Sequence, residues 1–481
     1  MKKHNPNLKT NRAILRLAYI TSGLFVCMVA YMAYFMQAKS ESVINNSYNS
    51  RLNLFSDRMV RGSILSSDGQ VLARTVTGED GEEKREYPFG SLFAHVVGYS
   101  DHGKTGLEAL ANFYLLTSHV NILEQVANEL ASIKNPGDNV VTTLDTELQQ
   151  TASDLLGSRK GAVVVMEADT GKILVMVSKP GFDPNLLSEE WDSLTEDEDK
   201  EARLLNRASQ GLYPPGSTFK MVTAIEYLRE HPEDYEDYTF DCSGVYQKEE
   251  YSIKCYHTTA HGQESLETSF ANSCNGAFAS LGLSLDKAGL RKLSEELLFN
   301  QELPLSLPYY KSSYEMGESA DMWETLQTSI GQGKTQITPI HNGMIAAAAA
   351  NGGILMKPYL IDHIENAAGE TVKKFMPEVY SPLMSAGEAR MLTDFMSMVV
   401  TEGTGSALRT DAYQAAGKTG SAEFDPNKET HAWFVGFAPV QSPEIVVSIL
   451  VEEGGSGGQA AAPIARGIFD AYFSLHETAG N

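Results

Sequence analysis

At 481 residues the chain is long for one domain and calls for two or three, and a hydrophobic content of 42% is ample for packed cores. The net charge of −24 is uneven: the first 40 residues carry six Lys or Arg and no Asp or Glu, which leaves 32 bases against 62 acids beyond them. An acidic body of this kind does not grip nucleic acid through its phosphates. The acidity reads as solubility and says little about a substrate.

The first element is the uncharged run Leu17–Ala38, whose 22 residues suffice for a helix to cross a bilayer. Lys2, Lys3, Lys9, Arg12 and Arg16 precede it, and no acid occurs before Glu41. The positive-inside rule therefore predicts residues 1–16 as a cytoplasmic tail, 17–38 as a signal anchor and the remainder as exported. No convincing small-x-small cleavage site follows the run, so a cleaved signal peptide is the weaker reading.

Residues 41–157 form a first exported unit of mixed α and β character. Gly62–Leu65 and Val71–Val76 read as short strands around the turn signal Asp68-Gly69. Helical stretches follow at Leu107–Leu116 and Val120–Ile133, then a strand at Val140–Leu144. Asp145 is placed to cap a helix through Leu156. Within this unit Gly98 through Thr105 matches the phosphate-binding loop G-x-x-x-x-G-K-[ST] in full. Its exported position and the lack of surrounding β-α-β units oppose that reading.

A second unit, residues 158–481, opens with the apolar strands Ala162–Met166 and Ile173–Val177 around the turn Asp169-Thr170-Gly171. Glu189–Glu201 reads as an acidic surface insertion, and helices are expected to dominate as far as residue 350. Strands return at Tyr413–Gly417, Ala432–Phe437 and Ile445–Val451, before a final helix at Ala462–Leu475. The expected fold is α+β: a mostly antiparallel sheet flanked by helices.

Of four cysteines, Cys27 lies in the membrane run. Cys242 and Cys255 bracket a turn-rich segment and are open to a disulfide or to two free thiols; Cys274 is left odd. The cysteine spacings do not resemble a zinc site, and His257, His261 and His431 fall in no metal spacing.

Three short motifs in this second unit carry chemistry. Ser217-Thr-Phe-Lys220 follows Pro214-Pro215-Gly216, which blocks a helix before the serine and favours one just after it. Ser217 then stands at a helix start, and Lys220 faces the same side. A serine hydroxyl needs a base within reach, and Lys220 serves only when neutral, through burial or a neighbouring cation such as Lys418. Ser273-Cys274-Asn275 can relay a proton and hold an amide; its plainer reading is a helix cap. Lys418-Thr419-Gly420-Ser421 reads as a strand of small residues that can hold a carboxylate. The backbone N–H groups of Ser217 and Ser421 are candidates for an oxyanion hole.

Each motif has a double: Ser284-Leu-Asp-Lys287, Ser47-Tyr-Asn49 and Lys104-Thr-Gly106. The order of the three motifs, and their context, decides among them. The chain resembles a class B penicillin-binding protein over nearly its whole length. Arg61-Gly62-Ser63-Ile64 and Asp68-Gly69 resemble the start of that family's pedestal. Tyr87-Pro88, Gly98-Tyr99 and Gly106-Leu107-Glu108 resemble its later landmarks, which demotes the phosphate-loop match to a turn. Asn206-Arg207-Ala208, His261-Gly262, Gly331-Gln332-Gly333, Thr338-Pro339, Asn351-Gly352-Gly353 and Gly403-Thr404-Gly405 resemble transpeptidase-domain signatures.

The resemblance implies a peptidoglycan D,D-transpeptidase: Ser217 attacks the D-Ala-D-Ala bond of one stem peptide, releases D-Ala, and passes the acyl group to an amine of another. It makes Lys220 the general base, and Ser273 with Lys418 the proton path to the leaving amine. It assigns Asn275 to the acyl-chain amide, and Lys418, Thr419, Gly420 and Ser421 to the carboxylate strand. It implies β-lactams as covalent ligands, no metal or other cofactor, and a SEDS-type glycosyltransferase as membrane partner. Residues 41–157 are too few for the glycosyltransferase domain of a bifunctional enzyme. Class D β-lactamases, which share Ser-Thr-Phe-Lys, generally carry Val where Asn275 stands. Glu296 through Asn300 matches the Glu-x-x-x-Asn of class A lactamases, but reads better as a packed helix end. A D,D-carboxypeptidase or a β-lactam sensor with the same motifs is the alternative.

Overall fold

The computed structural model describes residues 7–38, 59–79, 81–196 and 201–479. Asn7–Ala38 is one helix, and its stretch Ile14–Met36 is long and apolar enough to cross a membrane. The apolar side chains of that stretch stand exposed, as a lipid-facing segment requires. Residues 1–6 of the expected cytoplasmic tail, the Ser47-Tyr48-Asn49 double and residues 197–200 of the acidic insertion lie outside the described residues.

The amino-terminal unit is built on a six-stranded sheet. Its order is Thr371–Lys374, Ile361–Glu365, Asn139–Thr142, Ile64–Leu65, Val71–Thr77, Glu83–Glu86. Two of these strands arrive from late in the chain: Ile361–Glu365 pairs antiparallel with Asn139–Thr142. The sheet therefore ties this unit to the one that follows. Glu108 is fully buried beside it and takes Arg61 Nε and Arg85 Nε at 2.7 Å each. Both guanidiniums also reach backbone carbonyls, Arg61 that of Glu108 and Arg85 that of Gly62, each at 2.7 Å. The landmarks Arg61-Gly62 and Gly106-Leu107-Glu108 thus meet in one ionic cluster.

The phosphate-loop match at 98–105 follows the helical turn Ala94–Val97, where a nucleotide-binding loop would follow a strand. Gly98 sits at φ +82, and a Cβ there would meet Thr105 O at 2.1 Å, so glycine serves a close backbone approach within the loop.

The second unit is organised by a five-stranded antiparallel sheet in the order Ala416–Ala422, His431–Ala438, Ile445–Val451, Gly161–Glu167, Ile173–Lys179. Alternation along Gly161–Glu167 divides its residues between two cores. Val163 and Val165 join Leu148, Ile468 and Phe469 beneath the helices Thr146–Leu156 and Ala462–Ala479. Val164 and Met166 join Ile340 and Met344 of the helix Pro339–Ala350 on the other face. The Asp145 cap forms as expected, its carboxylate accepting from Leu148 N at 2.7 Å.

Three expectations change. Residues 240–264, expected as a turn-rich segment in a region dominated by helices, fold as short antiparallel pairs: Phe240–Cys242 with Gly262–Glu264, and Val245–Lys248 with Tyr251–Lys254. Their strands are only three or four residues long, too short for alternation to announce them. The acidic segment is partly structural, because Leu187–Thr195 is a helix that buries Leu187 and Leu194 against Phe182. The strand expected from Tyr413 begins at Ala416.

Candidate active site

Ser217 lies in a tight helical turn, Gly216–Phe219, that runs directly into the helix Lys220–Glu230. Gly216 has φ +52, and a Cβ on it would meet Ala422 Cβ and Ser421 O at 3.0 Å, so the turn can press against the strand Ala416–Ala422 only as glycine. Trp433 Nε1 donates to Pro214 O at 3.0 Å, and Thr218 Oγ1 to Pro215 O at 2.9 Å. Phe219 stacks on Tyr314 with ring centroids 5.9 Å apart. These contacts bury Thr218, Phe219 and Lys220 and leave Ser217 half-buried at the wall of a cleft of about 410 Å³.

Ser273 joins the helices Leu266–Ala271 and Asn275–Ser284 in a left-handed conformation, φ +56. The bend places its hydroxyl between two buried amines. Lys220 Nζ donates to Ser273 O at 2.7 Å, Ser273 Oγ at 3.2 Å and Asn275 Oδ1 at 2.7 Å. Lys418 Nζ reaches Ser273 Oγ at 2.9 Å and Thr419 O at 3.1 Å. Both amines also sit above aromatic rings, Lys220 over Phe278 and Lys418 over Phe270.

Burial lowers Lys220 to about pH 8. Burial, and after it the charge of Lys220, lowers Lys418 well below the ordinary lysine range. Of the two agents expected for Lys220, burial or a neighbouring cation, burial is the larger. The two amines repel each other when both carry a proton, which disfavours the doubly protonated pair.

Ala416–Ala422 is an edge strand, so one side of its backbone is open to the cleft. Thr419 and Thr404 share a hydroxyl–hydroxyl bond of 2.6 Å, and Ser421 Oγ accepts from Gly457 N at 3.3 Å. Gly420 packs on the nucleophile turn, where a Cβ would come within 3.2 Å of both Pro215 O and Thr218 Cγ2. With its amide oriented to satisfy both ends, Gln332 pairs with the backbone N and O of Glu423 at 3.1 Å. Thr404 and Gln332, which the sequence offers only as parts of signatures, line the cleft through these contacts. All eight expected site residues therefore meet here.

The doubles fall elsewhere. Ser284 is exposed at the end of a helix, bonded to Leu281 O at 2.7 Å, and Lys287 Nζ donates to Ala320 O at 2.6 Å. Lys104-Thr105-Gly106 belongs to the amino-terminal unit.

Beneath Ser273 and Asn275 the short hairpins gather Cys242, Cys255, His261 and Cys274, whose ligand atoms all lie within 4.8 Å of one another. The sulfurs of Cys242 and Cys255 are 3.7 Å apart and unbonded, which leaves the free-thiol alternative for that pair. No short Cys-x-x-Cys signature announced this set, because its members come from separate elements. The grouping corrects the sequence view that these residues lack a metal-ligand arrangement.

The description "penicillin binding protein transpeptidase domain" matches residues 161–470, and "penicillin binding protein A dimerisation domain" matches residues 61–140. Peptidoglycan D,D-transpeptidase PbpA of Mycolicibacterium smegmatis is 33% identical over 487 residues, covering 95% of this chain and 98% of its own. Peptidoglycan D,D-transpeptidase MrdA of Acinetobacter baumannii is 30% identical, covering 80% of this chain and 65% of its own. Among solved structures, the D,D-transpeptidase domain of a peptidoglycan glycosyltransferase from Eggerthella lenta superimposes with a TM-score of 0.78 at 32% identity, over 87% of this chain and 99% of that one. Penicillin-binding protein A of M. tuberculosis, in its penicillin G acyl-enzyme complex, gives 0.77 at 30% identity, over 86% and 100%.

Proposed function

This chain belongs to the penicillin-binding protein transpeptidase family, and from that premise we propose that Ser217 is its nucleophile, served by Lys220, Ser273 and Lys418. The protein is a serine D,D-transpeptidase of peptidoglycan synthesis and a covalent target of β-lactams. Neutral Lys220 takes the proton of Ser217 as its oxygen attacks the carbonyl of the penultimate D-Ala. The hydroxyl of Ser273, between the two amines, hands a proton to the nitrogen of the departing D-Ala and takes the one held by Lys220 in its place, which returns Lys220 to neutral. An amine from a second stem then attacks the acyl-enzyme, Lys220 accepts its proton, and that proton returns to Ser217 as the new amide leaves.

Asn275 holds the acyl-chain amide. Lys418, Thr419 and Ser421 hold the terminal carboxylate, whose charge favours the protonated form of Lys418 once substrate is bound. Gly420 lets the substrate-bearing strand lie close to Ser217. The N–H groups of Ser217 and Ser421 take the developing oxyanion. One observation carries these assignments: Ser273 Oγ within 3.2 Å of Lys220 Nζ and 2.9 Å of Lys418 Nζ, beside Ser217 and an open strand edge.

The test is covalent labelling of the full chain with a tagged penicillin. Label is expected to be lost in Ser217→Ala and kept in Ser284→Ala; label retained by Ser217→Ala overturns the assignment. Rapid release of the opened drug would mark a lactamase.

A membrane anchor at Ile14–Met36 precedes the catalytic body. The basic residues before it support a cytoplasmic amino terminus, with residues 41–157 as pedestal and 158–481 as catalytic unit outside. Family resemblance supports a SEDS-type glycosyltransferase as partner. Within the pedestal, the helix Ile122–Leu130 exposes Ile122, Leu123, Val126 and Leu130, a face suited to protein contact.

A further inference from the structure

We propose that Glu423 selects the donor stem: its carboxylate receives a free side-chain ammonium on the residue that precedes the two D-Ala. This role rests on the Ser217 reading and adds to it a feature of the substrate. Stems of one wall are alike, so the amine through which one stem accepts an acyl group is carried by the donor stem as well. Neither D-Ala has a side-chain amine, so that group lies upstream of both.

The edge strand Ala416–Ala422 sets the donor's track. Side chains alternate along a strand, which puts Thr419, Ser421 and Glu423 on one face, and all three line the cleft. Ala422, between the last two, is fully buried on the other face. Main-chain groups alternate as well, between the neighbouring strand and the open edge. Gln332 marks the open edge: its amide donates to Glu423 O and accepts from Glu423 N, each at 3.1 Å. The N–H and C=O of Ser421, two residues back, face that edge too, next to the nucleophile turn at Gly216. A substrate strand can therefore pair at Ser421 but not at Glu423, where Gln332 already fills both positions. What it meets there is the Glu423 side chain. The loop that carries Gln332 is tied to the nucleophile turn, Gly216 N donating to Gly331 O at 2.9 Å. Backbone bonds thus fix the place of Glu423 relative to Ser217.

Reach and charge both fit. Thr419, at the carboxylate end, and Glu423 lie about 13 Å apart at about 3.3 Å per residue. The donor residue before the two D-Ala starts about 7 Å from the terminal carboxylate, and an extended amine-bearing side chain adds about 6 Å. Among the described residues that line the cleft, Glu423 alone is acidic. It is exposed and enters no ion pair among the described residues, whereas Lys428, the cation of the same loop, is paired with Glu453 at 2.7 Å. An ammonium that arrives beside it gains a charge-assisted hydrogen bond; an acylated amine does not.

The experiment follows the first acylation of the detergent-solubilised full chain, held in excess over donor and without acceptor. The donors are two peptidyl thioesters: α-N-acetyl-L-Lys-D-Ala-D-thiolactate with its side-chain amine free, and the same compound acetylated on that amine. Thiol release reports the rate. Wild type is expected to favour the free amine about fivefold, as an exposed ion pair allows, and less so in about 0.5 M salt. Glu423→Gln is expected to erase the preference and Glu423→Lys to reverse it. Glu429→Gln, on the same loop but outside the cleft lining, should keep it. Each preference is a ratio within one protein, so a misfolded fraction cancels. A preference unchanged in Glu423→Gln, or one that emerges only when an acceptor amine is added, overturns the proposal. Penicillin labelling tests the Ser217 reading separately. Wild type labelled at Ser217 yet indifferent to the two donors overturns the role of Glu423 alone.

Discussion

The amines of Lys220 and Lys418 converge on a single hydroxyl, Ser273 Oγ, at 3.2 and 2.9 Å, although they enter from a helix and a strand nearly two hundred residues apart in the chain. Both are fully buried and lie within about 6 Å of each other, so two positive charges there repel strongly. The free site thus favours at most one proton on the pair, and the remaining lone pair is what a serine nucleophile needs.

Acylation should therefore rise with pH. Lys220 is lowered to about 8, so its protonated, inactive form predominates below that value and its neutral form above it. The rate of penicillin acylation, measured by stopped-flow at low drug concentration to report the free enzyme, is expected to climb with a midpoint near pH 8. Lys220→Ala should lose about 10²- to 10⁴-fold, the usual worth of a general base. A flat profile across roughly pH 6–10 would remove Lys220 from that role.

Ser273 can be probed without disturbing its backbone. Its φ of +56 suits glycine and strains alanine, so Ser273→Gly removes the hydroxyl at least conformational cost. Acylation is expected to fall about 10²-fold in Ser273→Gly, with the unfolding midpoint little changed; Ser273→Ala should lose as much rate and some stability as well. If Ser273→Gly acylates at the wild-type rate, the proton path does not run through this hydroxyl.

Much of the site was legible because its chemistry is local. Pro214-Pro215-Gly216 told where a helix would begin, and the alternation and apolar runs of Ala162–Met166, Ala432–Phe437 and Ile445–Val451 announced the central strands. What stayed hidden depends on distant packing. Burial of Lys220 comes from Phe278 and the surrounding helices, so desolvation could not be weighed from the motif. The Cys242, Cys255, His261 and Cys274 group is assembled by hairpins with strands of three or four residues, below the length at which alternation signals a strand. The participation of Ile361–Glu365 in the amino-terminal sheet left no trace in local pattern at all.

Gly420 tests the contact between strand and nucleophile turn. A Cβ there would sit 3.0 Å from Trp433 Cβ and 3.2 Å from Pro215 O and Thr218 Cγ2, so the turn must give by a few tenths of an ångström. Gly420→Ala is expected to slow acylation about tenfold by displacing Ser217 from the carboxylate strand. The matching control is Gly262→Ala, where a Cβ meets nothing within 4 Å, although its φ of +76 costs some stability. Equal loss of acylation in both variants would point to general destabilisation.

Glu108 should govern the stability of the amino-terminal unit. Its carboxylate is fully buried between Arg61 and Arg85, whose side chains are only 12% and 4% exposed. Glu108→Gln leaves those two cations facing each other and is expected to destabilise the unit by about 3–5 kcal/mol. The two arginines outweigh the cost of burial and hold the Glu108 carboxyl below its ordinary value. A depressed carboxylate contributes stability that is complete above the unfolded value of about 4.3 and is lost as pH falls through the lower folded value. The gap in unfolding free energy between wild type and Glu108→Gln, read from denaturant melts, should thus be constant from roughly pH 8 to 5 and narrow below about pH 4. A variant as stable as wild type, or a gap unchanged in acid, would mean the two arginines find other partners and the cluster does not hold the sheet together.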